Sequence, residues 1–375
     1  MTRKPLAVAR APLLGAALLL LAVPSPALAA APDSAAYAAA VDARHAGAEG
    51  ARVGGVRTWR TLGGALAAAP AEGGRPYRVL IRNGRYREKL SVTAPDVHLV
   101  GESREGTVLT YDAAAGHAAP GGGTWGTRGS YTLRVAAPGF RLERMTVENA
   151  FAYMENRRRP DGDPAKMTAT QGVAVLTDSA SDRAVFRDCV LRGHQDTLFH
   201  DGGRAYFAGC AILGSVDFVF GAGQAVFEDC DIVTLDRGED PNGYVTAPST
   251  PLSRPYGLVF VRSRLRKEHP GMGAGTVALG RPWHPAADPQ AVGSAVFVDC
   301  WMDDHVSAAG WARMGATPPG GGERVWYEPE SARFFEYRST GPGALSSPSR
   351  RVLSDAEAAY FTPAQVLRGW DPREG

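Results

Sequence analysis

Four segments of the chain repeat one pattern: Phe186-Arg-Asp-Cys189, Phe207-Ala-Gly-Cys210, Phe227-Glu-Asp-Cys230 and Phe297-Val-Asp-Cys300. The step is 21 residues from Cys189 to Cys210 and 20 from Cys210 to Cys230. Leu258-Val-Phe-Val-Arg-Ser-Arg-Leu265 continues the alternating apolar pattern, with 33 residues from Cys230 to Ser263 and 37 more to Cys300. Phe140-Arg-Leu-Glu-Arg-Met-Thr-Val147 carries it in the other direction. A self-similarity of about twenty residues with loops of variable length is the mark of a solenoid. The repeat units are too short and too β-rich for paired amphipathic helices, as in Tyr77-Arg-Val-Leu-Ile81, Val97-His-Leu-Val100 and Ala184-Val-Phe186. A β-propeller would need repeats of about 40 residues, and a sandwich would need tight antiparallel hairpins. The expected fold is therefore all-β, a parallel β-helix whose inward positions stack as ladders of Val, Ile, Leu and Phe. Short helical caps are expected at its ends. The Ala-rich stretch before Val53 is expected to form a cap or short helix. Ser354-Asp-Ala-Glu357 reads as a capping box opening a helix through Tyr360, and Thr362-Pro363 as the start of another.

Residues 1–29 read differently. Arg3, Lys4 and Arg10 precede the apolar run Ala11 to Val23, and Ala27-Leu28-Ala29 supplies a small-x-small cleavage pattern. The apolar run is too short to span a bilayer, which needs roughly 20 residues. We expect a secretory signal peptide over 1–29 and a single catalytic domain over 30–375, secreted and without a membrane association after cleavage. The whole chain has 41 Lys+Arg against 39 Asp+Glu, a net charge of +2. Removing the leader takes three cations away, so no general attraction to nucleic acid is expected. The four cysteines make no C-x-x-C pair or zinc-like spacing.

Two carboxylates fall one coil apart. Asp196, in Gly193-His-Gln-Asp-Thr-Leu198, lies seven residues after Cys189, and Asp217, in Val216-Asp-Phe-Val-Phe-Gly221, lies seven after Cys210. Equivalent positions on neighbouring coils are about 4.8 Å apart. Two carboxyls that close do not both ionise easily, so one becomes a proton donor while the other stays anionic. Gln171 precedes Gln195 by 24 residues, again about one coil, and the two amides are candidates for an oxyanion hole or for a ladder satisfying only backbone. Leu279-Gly-Arg281-Pro-Trp283 offers a cation to hold one acid ionised and an aromatic face for a sugar.

Taken together, Gly84-Arg-Tyr-Arg-Glu88, Gln171-Gly-Val-Ala174, Gly193-His-Gln-Asp-Thr-Leu198, Asp217-Phe-Val-Phe-Gly221 and Leu279-Gly-Arg-Pro-Trp283 resemble, in order and spacing, the signature segments of the pectin methylesterases. Gly243-Tyr-Val-Thr-Ala-Pro-Ser-Thr250 and Gly280-Arg-Pro-Trp-His-Pro285 look most like the secreted bacterial branch. The resemblance implies a right-handed parallel β-helix that hydrolyses the C6 methyl ester of galacturonate in pectin and releases methanol, with no metal or cofactor. It implies Asp217 as nucleophile, Asp196 as general acid and base, Gln171 and Gln195 as oxyanion donors, and Arg281 as the group orienting Asp217. Trp283 would line the sugar cleft, with Phe199, Phe220 and Met314 as further lining residues. It also implies a disulfide between Cys210 and Cys230, with Cys189 to Cys210 as the rival pairing. A monomer with pectin as its partner is the expectation.

The sequence departs from the family pattern at His194, where Tyr is usual, and at Gly172, where Ala is usual. His194 is expected to be a turn residue pointing at solvent; the other reading is a group that shifts the pH profile. The run Glu155-Asn-Arg-Arg-Arg-Pro160 is expected to be a solvated loop rather than a contact for pectin carboxylates. Two other functions keep the fold. A polygalacturonase would use paired Asp but leave two Gln and Arg-Pro-Trp unexplained. A non-catalytic carbohydrate-binding solenoid would not need the acid pair. A pectate lyase would want clustered acids for Ca²⁺, and a serine esterase a G-x-S-x-G elbow; the sequence has neither.

Overall fold

The computed structural model describes residues 36–373, so the expected signal peptide lies outside the described residues. Within them the chain winds through three sheets in turn. The first has twelve strands ending at Arg333–Tyr337, the second eight from Gly84–Arg87 to Trp301–Met302, and the third seven from Leu90–Val92 to Val277–Gly280. One coil runs Ala184–Arg187, Val190–Arg192 and Leu198–His200, and the next runs Arg204–Ala208, Ala211–Gly214 and Val216–Gly221. Strands pair in parallel with their equivalents one coil on, for example Val185 with Tyr206 and Leu191 with Ile212. The fold is a parallel β-helix.

The Phe-x-x-Cys pattern is the corner between the first two sheets. Phe points inward, the next residue outward, the third turns the chain in the left-handed region, and Cys points inward again. Asp188, Gly209, Asp229, Arg262, Asp299 and Arg338 all have φ between 49° and 60° at this corner. The left-handed conformation is cheap for Gly and tolerated by Asp, and costs about 1–2 kcal/mol for other side chains. Arg144, with φ 51°, also turns this corner, and two of its arginines are tied to the coil before them: Arg262 makes two 3.0 Å bonds to Asp229, and Arg338 bonds Asp299 at 2.7 Å. Inside, Phe186, Phe207, Phe227, Phe260 and Phe297 stack with centroids 4.5–4.7 Å apart. Each stacked pair adds about 0.5–1.5 kcal/mol beyond its burial.

The cysteines form a parallel ladder, and here the expectation is corrected. Cys189, Cys210, Cys230 and Cys300 are all buried free thiols, so neither the Cys210–Cys230 disulfide nor its rival is present. Each occupies the same inward rung, and its Sγ meets a carbonyl of the preceding coil: Cys210 with Phe186 O at 3.4 Å, Cys230 with Phe207 O at 3.5 Å. Cys189, Cys210 and Cys230 stack on three consecutive coils, so Cys210 has a thiol on either side, while Ser263 takes the rung between Cys230 and Cys300.

The ends also differ in part. The described residues before Val53 give strands Ala39–Val41 and Ala51–Val53 instead of a helix; the helix comes later, at Leu62–Ala67, capped by Thr61 and burying Leu62 and Ala65. At the other end the Ser354 capping box opens Asp355–Ala358, which tightens to a 3₁₀ turn over Ala359–Phe361. Thr362 then caps Pro363–Val366.

Candidate active site

The third sheet positions the acid pair. Gln195 bridges to Val216, and Asp196 N–H donates to Val216 O at 3.0 Å, which sets Asp196 and Asp217 at equivalent places on consecutive coils. Both have positive φ, 65° and 50°, and both are almost fully buried, 7% and 6% exposed. Asp tolerates this left-handed conformation, as it does at the Asp188, Asp229 and Asp299 corners.

The two carboxyls are in different electrostatic states. Arg281 forks onto Asp217, Nε to Oδ1 at 2.8 Å and Nη2 to Oδ2 at 2.6 Å. This charge-assisted pair fixes the carboxylate in plane. The guanidinium in turn lies 3.8 Å from the centroid of the Tyr244 ring. Among the described residues Asp196 has no such partner. Burial pushes its carboxyl well above the usual range, the charge of Asp217 adds to that, and Arg281 only partly opposes it. The burial of Asp196 and the charge beside it both favour its protonated form, while the two bonds from Arg281 go to Asp217.

All nine residues expected at the site line a single cleft of about 420 Å³: Gln171, Gln195, Asp196, Phe199, Asp217, Phe220, Arg281, Trp283 and Met314. Thr170 Oγ1 donates to Gln195 Oε1 at 2.7 Å. That bond engages the Gln195 amide oxygen as an acceptor and leaves the NH₂ as the group available to donate. Gln171 Oε1 is buried with no hydrogen-bond partner among the described residues, an exception to the rule that buried polar groups are paired. Phe199 and Phe220 stack at 4.3 Å, and Trp283 stands edge-on to both, at 6.2 and 5.6 Å.

Several placements were not legible beforehand. Thr127, Arg128 and Ala247 also line the cleft. Arg128 lies over the Phe199 ring at 4.9 Å and pairs with Asp201. The short helix Gly126–Gly129 that carries it belongs to no repeat. His194 does not point at solvent: it stacks on Tyr153 at 4.9 Å, and burial lowers its pKa to about 4, leaving it neutral. The stacking partner opens the helix Tyr153–Arg158, which takes up Glu155 to Arg158 of the run expected to be a loop, with Arg157 paired to Glu239. Gly172 departs from Ala because a Cβ there would come within 2.9 Å of Asn149 Oδ1.

A family model described as Pectinesterase matches residues 51–370. The chain belongs to the pectinesterase family. Pectinesterase A of Dickeya dadantii (strain 3937) is 42% identical over 328 residues, covering 84% of this chain and 88% of the relative. Among solved structures, a pectin methylesterase in complex with a hexasaccharide is 41% identical with a TM-score of 0.84, covering 90% of this chain and 98% of that one. The pectin methylesterase from Yersinia enterocolitica is 43% identical with a TM-score of 0.80, covering 83% and 99%. The enzyme is a carboxylic ester hydrolase that acts on the methyl esters of pectin.

Proposed function

We propose that Asp217 and Asp196 divide the hydrolysis between them, Asp217 as nucleophile and Asp196 as the proton carrier. A carboxylate oxygen of Asp217 attacks the C6 carbonyl of a methylated galacturonate unit, and the carbonyl electron pair moves onto its oxygen. The amide NH₂ groups of Gln195 and Gln171 donate to that oxyanion. When the tetrahedral species collapses, the C–O bond to methoxide breaks as Asp196 gives up its proton, and methanol leaves. The product is an anhydride between Asp217 and the sugar. Asp196, now a carboxylate, takes a proton from water as it adds to the same carbonyl. Collapse returns Asp217 as a carboxylate and leaves the sugar's free carboxylic acid, which gives its proton to solvent as galacturonate, with the proton taken from water kept on Asp196. Arg281 holds Asp217 for attack, and Trp283, Phe199, Phe220 and Met314 hold the sugars.

The observation that carries this reading is the asymmetry of the pair: a bidentate cation on Asp217 and none on the buried Asp196. The residue-level test uses highly methylated pectin and follows methanol, new reducing ends and unsaturated products. Methanol alone rises with the wild type. Growth of reducing ends would favour the glycosidase reading. For the chain as a whole we infer export, with residues 1–29 removed and 30–375 acting as a monomeric secreted catalytic domain. The charged start, short apolar run and Ala27-Leu-Ala29 support this. Mass spectrometry of the exported protein would find a different first residue if the leader is read wrongly.

A further inference from the structure

The two glutamines of the cleft are held unequally. Gln195 Oε1 accepts from Thr170 Oγ1 at 2.7 Å, while Gln171 Oε1 is buried with no hydrogen-bond partner among the described residues. The oxygen and the NH₂ of a side-chain amide are nearly the same size, so packing does not choose which of them faces a given way; hydrogen bonding does. A hydroxyl has one proton to give. That of Thr170 goes to the Gln195 oxygen, and the NH₂ of the same amide is left to donate elsewhere.

The backbone that carries Thr170 is fixed on both sides. Gly116 N–H donates to Ala169 O at 2.9 Å, Ala115 N–H to Gln171 O at 2.8 Å, and Gly172 N–H to Gln195 O at 3.0 Å. The last of these joins the coil of Thr170 to the coil of Gln195, and Gln195 bridges onward to Val216, the neighbour of Asp217. The hydroxyl, the amide and the acid pair therefore occupy three consecutive rungs. The β-branch of threonine also restricts χ1, so a hydroxyl on this backbone has few places to point.

We propose that Thr170 is a positioning residue for the ester hydrolysis: by occupying the Gln195 oxygen it keeps the amide NH₂ as the donor to the oxyanion that forms at the C6 carbonyl. The role rests on Gln195 being an oxyanion donor. An amide turned the other way would set its own oxygen, a partial negative charge, against an oxygen that is gaining a full one. That opposition grows only as the carbonyl oxygen charges up. The Thr170 hydroxyl therefore acts on the transition state far more than on the bound ester, and its loss moves kcat rather than KM.

The test measures kcat and KM for methanol release from highly methylated pectin, for the wild type, Thr170→Val, Thr170→Ala, Thr170→Ser, Gln195→Ala and the double variant Thr170→Val/Gln195→Ala. Valine keeps the shape of threonine without its hydroxyl, and serine keeps the hydroxyl. Gln195→Ala should lower kcat by about 100-fold, the usual worth of an oxyanion donor. Thr170→Val and Thr170→Ala should each lower it by about tenfold, the worth of one neutral hydrogen bond, with KM unchanged, and Thr170→Ser should restore it. In the double variant the valine should add nothing to the loss from Gln195→Ala. A valine effect of equal size with and without Gln195 would mean that the hydroxyl serves only the fold, and would overturn the proposal. Wild-type kcat in Thr170→Val and Thr170→Ala beside a slow Gln195→Ala would overturn it as well, while leaving Gln195 its role. Gln195→Ala turning over at the wild-type rate would instead strike down the oxyanion assignment, and the proposal with it.

Discussion

The outer faces of the first and third sheets carry similar apolar strips and end differently. On the first sheet, Val185, Tyr206, Val226, Val259 and Val296 are covered by the chain's own C-terminal segment, through Leu353, Ala358, Val366 and Leu367. Gln224 bonds Val366 O, and Arg204 reaches Leu367 O at 3.3 Å, pinning that cover in place. On the third sheet, Leu176, Phe199, Phe220 and Ala247 form the corresponding strip, flanked by Tyr131 and Trp283 and bordering the acid pair. One strip is used by the fold to complete itself. The other is left as a cleft for a polymer. The difference separates residues whose loss should cost stability from those whose loss should cost catalysis.

The largest effect belongs to the cleft. Asp217→Ala should lower kcat for methanol release by about 10⁴-fold or more, as removal of a nucleophile does elsewhere, with circular dichroism and melting close to wild type. Turnover near the wild-type rate would show that the nucleophile lies elsewhere. On the covered face, Leu367→Ala should cost about 2–4 kcal/mol of unfolding free energy by denaturant titration, with kcat unchanged. Loss of kcat with intact stability would blur the division between the two faces. Trp283→Ala should raise KM by roughly tenfold and change kcat less, since its ring packs against the cleft phenylalanines and not against the acids.

The smallest effect concerns Asp196 and has a defined sign. Its folded pKa is raised above the unfolded value, so the folded chain holds this proton more tightly. The stability it contributes is fully present below about pH 3.9 and is lost as pH rises through the raised value. Asp196→Asn cannot ionise and should melt a few degrees above wild type at alkaline pH, with the difference closing in acid. A gap that widens in acid would mean that Asp196 is the ionised partner. In the wild type, methanol release should likewise fall on the alkaline side as Asp196 loses its proton.

Much of this was readable because a solenoid converts sequence spacing into spatial contact. Phe-x-x-Cys recurs because every coil turns the same corner, and an equal offset of seven from Cys189 and Cys210 sufficed to bring Asp196 and Asp217 together. What escaped was non-periodic. Arg128 comes from a one-turn helix between coils, and Tyr244 supports Arg281 from a strand whose alternation says nothing about a guanidinium above it. His194 was misplaced because its cover, Tyr153, arrives from some forty residues earlier in the chain. The expected Cys210–Cys230 bridge failed within the periodic part itself: Cys189, Cys210 and Cys230 hold equivalent rungs of consecutive coils and all stay free thiols.

The central claim is that the pair holds one proton, on Asp196, beside an ionised Asp217. Infrared difference spectroscopy reads it directly. At neutral pH the wild type should show a protonated carboxyl band that shifts in heavy water, disappears in Asp196→Asn and persists in a variant altered only on the covered face. A neutral-pH spectrum without that band, or a band untouched by Asp196→Asn, would contradict the account.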